Sequence, residues 1–82
     1  MKQQIRLTEM KKQEKGVVVA IVGGGGMTRR LEALGIRPGK RIQKSSESFM
    51  RGPVTVRVEN AQVAIGFGMA SRILVELDRG ET

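Results

Sequence analysis

The chain has 82 residues, 39% of them hydrophobic and 28% charged, enough for one thinly cored domain over residues 1–82 and too few for a second. Its 15 Lys and Arg against 8 Asp and Glu give a formal charge of +7, so the expected partner is anionic: nucleic acid, an anionic membrane surface or an acidic protein. The absence of cysteine and histidine excludes a disulfide framework, a thiolate nucleophile and imidazole chemistry, and it suits a reducing cytoplasm.

At the N-terminus, Met1-Lys2-Gln3-Gln4-Ile5-Arg6 has no apolar run behind its charges, and no apolar run of about 18 residues occurs anywhere. Neither a signal peptide nor a membrane span is expected. Residues 5–15 are polar and mixed, with Leu7 and Met10 spaced for a short turn against the first strand. That strand is Val17-Val18-Val19-Ala20-Ile21-Val22, continuous and β-branched, a pattern of burial on both faces or at a barrel centre. The glycines Gly23 to Gly26 are expected to hold no regular element, because glycine loses the most entropy on ordering. A helix of about two turns follows over residues 27–34, with Thr28 as N-cap and Met27, Leu31 and Leu34 on one face. Gly35 stands where a left-handed residue would return Ile36 to Leu31, and Pro38-Gly39 predicts a type II turn.

Strands are next expected over Lys40 to Lys44, Val54 to Val58 and Ala61 to Ile65, with Glu59-Asn60 as the hairpin turn between the last two. The strand Val54 to Val58 alternates valine with Thr55 and Arg57, as one wet face requires. Between the first two lies a polar loop, Ser45 to Pro53, whose only large apolar groups are Phe49 and Met50. A single helical turn over residues 67–72, a closing strand Ile73 to Leu77 and a frayed tail after Asp78 complete the chain. The expected fold is all-β: a small closed or partly closed barrel of about five strands with one short helix after the first strand.

The chemistry available to this chain is narrow. The glycine run before a helix could cradle a phosphate, but no Gly-Lys-Ser/Thr stands in P-loop register, and Thr28 and Arg29 occupy the places where a dinucleotide fingerprint needs glycine. For metals only scattered carboxylates and five methionines remain; Glu76 and Asp78 are the one close pair, and Met27 and Met69 are expected to fill the core. Ser45, Ser46, Ser48 and Ser71 have no histidine to activate them, so no enzyme and no cofactor are expected. Two aromatic residues, Phe49 and Phe67, are too few for base stacking, which weighs against nucleic acid. The basic residues Arg29, Arg30, Arg37, Lys40, Arg41 and Lys44 cluster around the helix and its exit, either as a solvated face or as a docking face. Arg29-Arg30 in a first helical turn would oppose the macrodipole, a cost that points toward function.

The run from Gly23 through Met27-Thr28-Arg29-Arg30-Leu31-Glu32-Ala33-Leu34-Gly35-Ile36-Arg37-Pro38-Gly39 resembles the signature of the FeoA family, accessory proteins of bacterial ferrous-iron transport. Leu7-Thr8-Glu9-Met10, Gly52-Pro53-Val54, Ala61-Gln62-Val63-Ala64-Ile65-Gly66 and Ile73-Leu74-Val75 extend the likeness over about residues 7–77. Lys12-Gln13 stands where the family often has Pro-Gly, so a looser first turn is expected. The resemblance implies an SH3-like barrel, a cytoplasmic location, work alongside the membrane transporter FeoB and a family-level association with transition metals. Arg29, Arg30, Arg37, Phe49 and Met50 are the docking candidates, on a frame set by Gly35, Pro38 and Gly39. Peripheral contact with an anionic membrane surface also suits the charge. Two other classes compete: an SH3-like module of an iron-responsive regulator, disfavoured by the lack of a DNA-reading helix pair, and a small basic nucleic-acid-binding barrel.

Overall fold

The computed structural model describes residues 2–46 and 51–78; Phe49, Met50 and the tail beyond Asp78 lie outside them. Strands β1 (Lys2–Arg6), β2 (Lys15–Ile21), β3 (Arg41–Lys44), β4 (Val54–Val58), β5 (Ala61–Ile65) and β6 (Ile73–Asp78) form one antiparallel sheet in the order β1-β6-β2-β3-β4-β5. Helix α1 (Gly25–Ala33) follows β2, and a single turn α2 (Phe67–Ala70) precedes β6. The inner face is apolar: Val54, Val56 and Val58 are buried while Thr55 and Arg57 are not, as their alternation requires. Met27 and Met69 pack against this core. No helix among the described residues is long and apolar enough to cross a membrane.

The sheet has six strands where five were expected. In β1 the residues Lys2-Gln3-Gln4-Ile5-Arg6 carry a single apolar side chain, so no hydrophobic alternation announces a strand. Pairing with β6 from Lys2↔Asp78 to Arg6↔Leu74 supplies the backbone partners instead. A 3₁₀ turn, Leu7–Glu9, then buries Leu7 and delivers Met10 to the core. The following turn is closed by Glu14 N–H donating to Lys11 O at 3.0 Å, with Gln13 at φ +75°, so Lys12-Gln13 holds the place of Pro-Gly in a hydrogen-bonded turn.

Helix α1 starts earlier than the glycine run suggests. Its N-cap is Gly24, and Gly25 and Gly26 form its first turn. Thr28, read as the cap, lies inside the helix, its N–H donating to Gly24 O at 3.1 Å and its hydroxyl to the same oxygen at 3.2 Å. Glycine is an accepted N-cap residue, and the entropic cost of Gly25 and Gly26 is met by the following turn, which Met27 and Leu31 anchor to the core. Consequently Arg29 and Arg30 are not in the first turn; Arg30 lies in the last, where the macrodipole favours a cation. The cost that pointed toward function does not exist.

Leu34 was expected beside Leu31 but is the C-cap and is 42% exposed, because the chain turns away there. Val22 likewise falls beyond β2 and is 54% exposed. The helix closes as a Schellman pair: Ile36 N–H donates to Leu31 O at 2.9 Å and Gly35 N–H to Glu32 O at 2.9 Å, with Gly35 at φ +90°. A β-branched residue strains at that φ, so Gly35→Val is expected to lose about 1–2 kcal/mol in urea unfolding. An unchanged midpoint would remove the argument that this turn requires glycine.

Candidate docking surface

The docking candidates Arg29, Arg30 and Arg37 are all exposed. Leu31, fully buried, pins the inner side of α1 and leaves Arg29 and Arg30 outward, with Arg29 folding back over Gly25. Arg37 is held by the turn after Ile36, where Lys40 N–H donates to Arg37 O at 3.1 Å and Gly39 takes φ +95°. That turn is stitched to β2: Gly39 N–H donates to Val18 O at 2.8 Å and Val18 N–H to Lys40 O at 2.9 Å. The stitch falls where the β2–β6 register shifts between Val18 and Ala20. These two bonds tie the turn that carries Arg37 to β2.

Two members of the expected basic cluster are engaged within the chain. Lys40 pairs its ammonium with the Glu59 carboxylate. The hydrogen bond from Lys40, then its charge, with a smaller pull from Arg37, hold the Glu59 carboxyl below its ordinary range. Lys44 is 2% exposed and not on a solvated face at all; its ammonium donates to Met10 O at 2.7 Å. The strand begins at Arg41, one residue later than expected, because Lys40 closes the turn.

The sheet contributes cations that the linear sequence does not group. Register pairs Lys15 with Gln43, Gln43 with Arg57 and Arg57 with Gln62, a row running outward across four strands. Lys15, Arg41, Gln43 and Arg57, with Ile42 and Glu59, line a shallow cleft of about 240 Å³. Glu59 therefore joins the helix exit to this sheet face. The only signal for Arg57 was its strand parity, which fixes a face but not its neighbours, and Lys15 lay before the strand expected from Val17. Among the described residues no three His, Cys, Asp or Glu converge on a point that could hold a metal ion. Glu76 and Asp78 stand two apart on β6, opposite Gln4 and Lys2 of β1, and two carboxylates without imidazole or thiolate are too few donors for a resident transition metal.

A family model described as the FeoA domain matches residues 5–77. The chain belongs to the FeoA family. A protein of Methanocaldococcus jannaschii named "Putative Fe(2+) transport protein A" is 33% identical over 66 residues, spanning 80% of this chain and 78% of that one. Among solved structures, the "Iron Uptake Regulatory Protein (FeoA)" superposes with a TM-score of 0.84 at 38% identity, over 92% of this chain and all of the other. The chain is thus a small all-β SH3-like barrel, of a family associated with ferrous-iron transport. A manganese-dependent transcriptional repressor shares the fold, with a TM-score of 0.84 at 22% identity over 94% of this chain and 43% of its own.

Proposed function

We propose that this FeoA-family chain is a cytoplasmic, non-catalytic accessory protein of ferrous-iron uptake that docks on the cytoplasmic part of a FeoB-type transporter. The observation that carries the reading is the exposed set Arg29, Arg30 and Arg37, held by a Schellman-closed helix and a stitched turn, with no described carboxylate in an ion pair with any of them. Guanidinium forks bind carboxylates bidentately and lose hydration readily, which suits an acidic protein surface. Iron is the transporter's cargo in this reading, and the accessory chain needs no metal ligands of its own.

An exposed pair contributes little alone, so the test is a double reversal. Arg29→Glu with Arg30→Glu is expected to weaken binding to the transporter's isolated cytoplasmic domain and to the whole transporter in detergent on the order of tenfold, mainly by slowing encounter. Wild-type affinity should fall as salt rises, and circular dichroism should show the variant folded. Unchanged, salt-independent binding in both formats would exclude this face. The fold shared with a repressor favours a second reading, a module of an iron-responsive regulator. Salt-dependent binding of the chain to duplex DNA, measured at two salt concentrations, would support that reading and displace the first.

A further inference from the structure

A second basic site lies at the far end of the sheet, where β1 stops and β6 begins. Arg6 pairs with Leu74, and Leu74 with Ala20, on the outer face. One step further the ladder continues beyond the strands, with Val22 N–H donating to Arg72 O at 2.8 Å. Arg72 and Leu74 alternate with the buried Ile73 and Val75, so both face outward, and Val22 stands opposite Arg72 on the same side. Arg6, Val22, Ser71, Arg72 and Leu74 line a cleft of about 410 Å³, inside the range of roughly 300–1,000 Å³ usual for ligand clefts. Ser71 fixes its rim by donating its hydroxyl to Gly68 O at 2.7 Å.

The chemistry of this cleft is mixed. Diagonal neighbours on adjacent strands lie roughly 7–8 Å apart at Cα, so Arg6 and Arg72 present their charges to one cleft, Arg72 with its Cδ on the Gly23 side. Neither forms an ion pair with a described residue, and although the Glu9 carboxylate accepts from the Arg6 N–H at 2.8 Å, it does not line the cleft. Leu74, beside Arg6, and Val22, beside Arg72, supply the apolar part of the lining, and Val22 is the most exposed large hydrophobic residue described, at 54%.

We infer that this cleft is a docking site for an acidic, apolar peptide segment of a partner protein, one that places a carboxylate between Arg6 and Arg72 and an apolar side chain on Val22 and Leu74. Charge complementarity selects the acid, and the Val22–Leu74 wall selects its neighbour. A nucleic-acid backbone fits less well, since it needs cations arrayed along several phosphates and aromatic platforms, and no aromatic residue lines the cleft. A lipid head group would want a wider basic patch with its charges coplanar on one surface. The site shares no residue with Arg29, Arg30 and Arg37, and it stands whether or not the transporter is their partner.

The test uses the full chain and a fluorescein-labelled peptide of alternating Glu and Leu, with a Lys-Leu peptide, phosphatidylglycerol vesicles and a DNA duplex as competitors. Saturable binding of the Glu-Leu peptide is expected, with amide shifts in NMR concentrated at Arg6, Val22, Ser71, Arg72 and Leu74. Arg6→Gln with Arg72→Gln should weaken it on the order of tenfold, since both pairs are lost together, while Arg29→Glu with Arg30→Glu should leave those site shifts in place. Val22→Asp should weaken it as well, through the apolar wall and by repelling the acid. Failure of the peptide to bind, equal affinity in the Arg6/Arg72 variant, or preferential capture of vesicles or DNA through these residues would each overturn the proposal. Loss of transporter binding in the Arg29/Arg30 variant with peptide binding intact would separate the two sites.

Discussion

Gly16→Ala is expected to lower stability by about 3 kcal/mol, the upper end of ordinary overpacking costs. The intrinsic preference points the other way, since alanine in a strand is worth roughly 0.5–1 kcal/mol more than glycine. Packing decides the sign. A Cβ on Gly16 would lie 2.4 Å from Val75 Cγ1 and 2.9 Å from the Glu76 carbonyl oxygen, with Leu77 Cδ2 at 3.3 Å. Val75 is fully buried and its β-branched side chain is stiff at χ1, and the carbonyl belongs to the backbone of β6. The contact relaxes only by parting β2 from β6, an interior pair of the sheet flanked by β1 and β3. A chain of this length has total stability of roughly 4–12 kcal/mol, so 3 kcal/mol is a large share and corresponds to a fall of about 12–24 °C in Tm. Urea and thermal unfolding of Gly16→Ala read the effect directly. A midpoint equal to or above wild type would show that the strands separate freely here.

Gly16 also shows what the sequence made visible and what it hid. The β-branched run after it marked the strand, but the reason for a glycine there is contact with Val75 to Leu77, about sixty residues away in a ladder whose register no local pattern fixes. Features set by nearest neighbours were legible: the Gly35 closure, the Pro38-Gly39 reversal, and the valine alternation of β4 each follow from residues within a few positions. Features set by pairing were not. The strand β1 has one apolar side chain and exists because β6 offers it an edge. The helix α1 begins on glycines because Leu31 and Met27, further along, are held by the core. The same distinction governs the surfaces. Arg29, Arg30 and Arg37 are close in sequence and could be grouped at once, whereas Lys15 joins Arg57, and Arg6 joins Arg72, only through strand register.

Lys44 is the sharpest case, for its charge suggested a solvated residue and its position is internal. It lies on β3 opposite Val56, on the side of the sheet that faces the core, and is 2% exposed. Its ammonium donates to Met10 O at 2.7 Å and reaches Thr8 O at 3.4 Å, while its backbone N–H donates to Glu14 O at 3.0 Å. One residue therefore fastens the 3₁₀ turn and the segment after it to the sheet at three acceptors. Lys44→Ala removes a charge-assisted donor, worth about 1.5–3 kcal/mol, and also the buried methylene stem, at roughly 0.8 kcal/mol for each CH₂. The expected loss is about 3 kcal/mol or more. Lys44→Met separates the two contributions, because it keeps an apolar stem of similar length and deletes only the ammonium. Relieving the chain of a buried charge offsets part of the lost hydrogen bonding, so Met should cost about 1–2 kcal/mol, less than Ala. In both variants amide exchange at Lys11 to Glu14 should accelerate more than exchange in β4 and β5, since the clip holds that segment locally. Urea unfolding with residue-resolved hydrogen exchange measures both quantities. A loss below about 0.5 kcal/mol in Lys44→Ala, the range of an ordinary surface change, would return Lys44 to the solvated face that its charge first suggested.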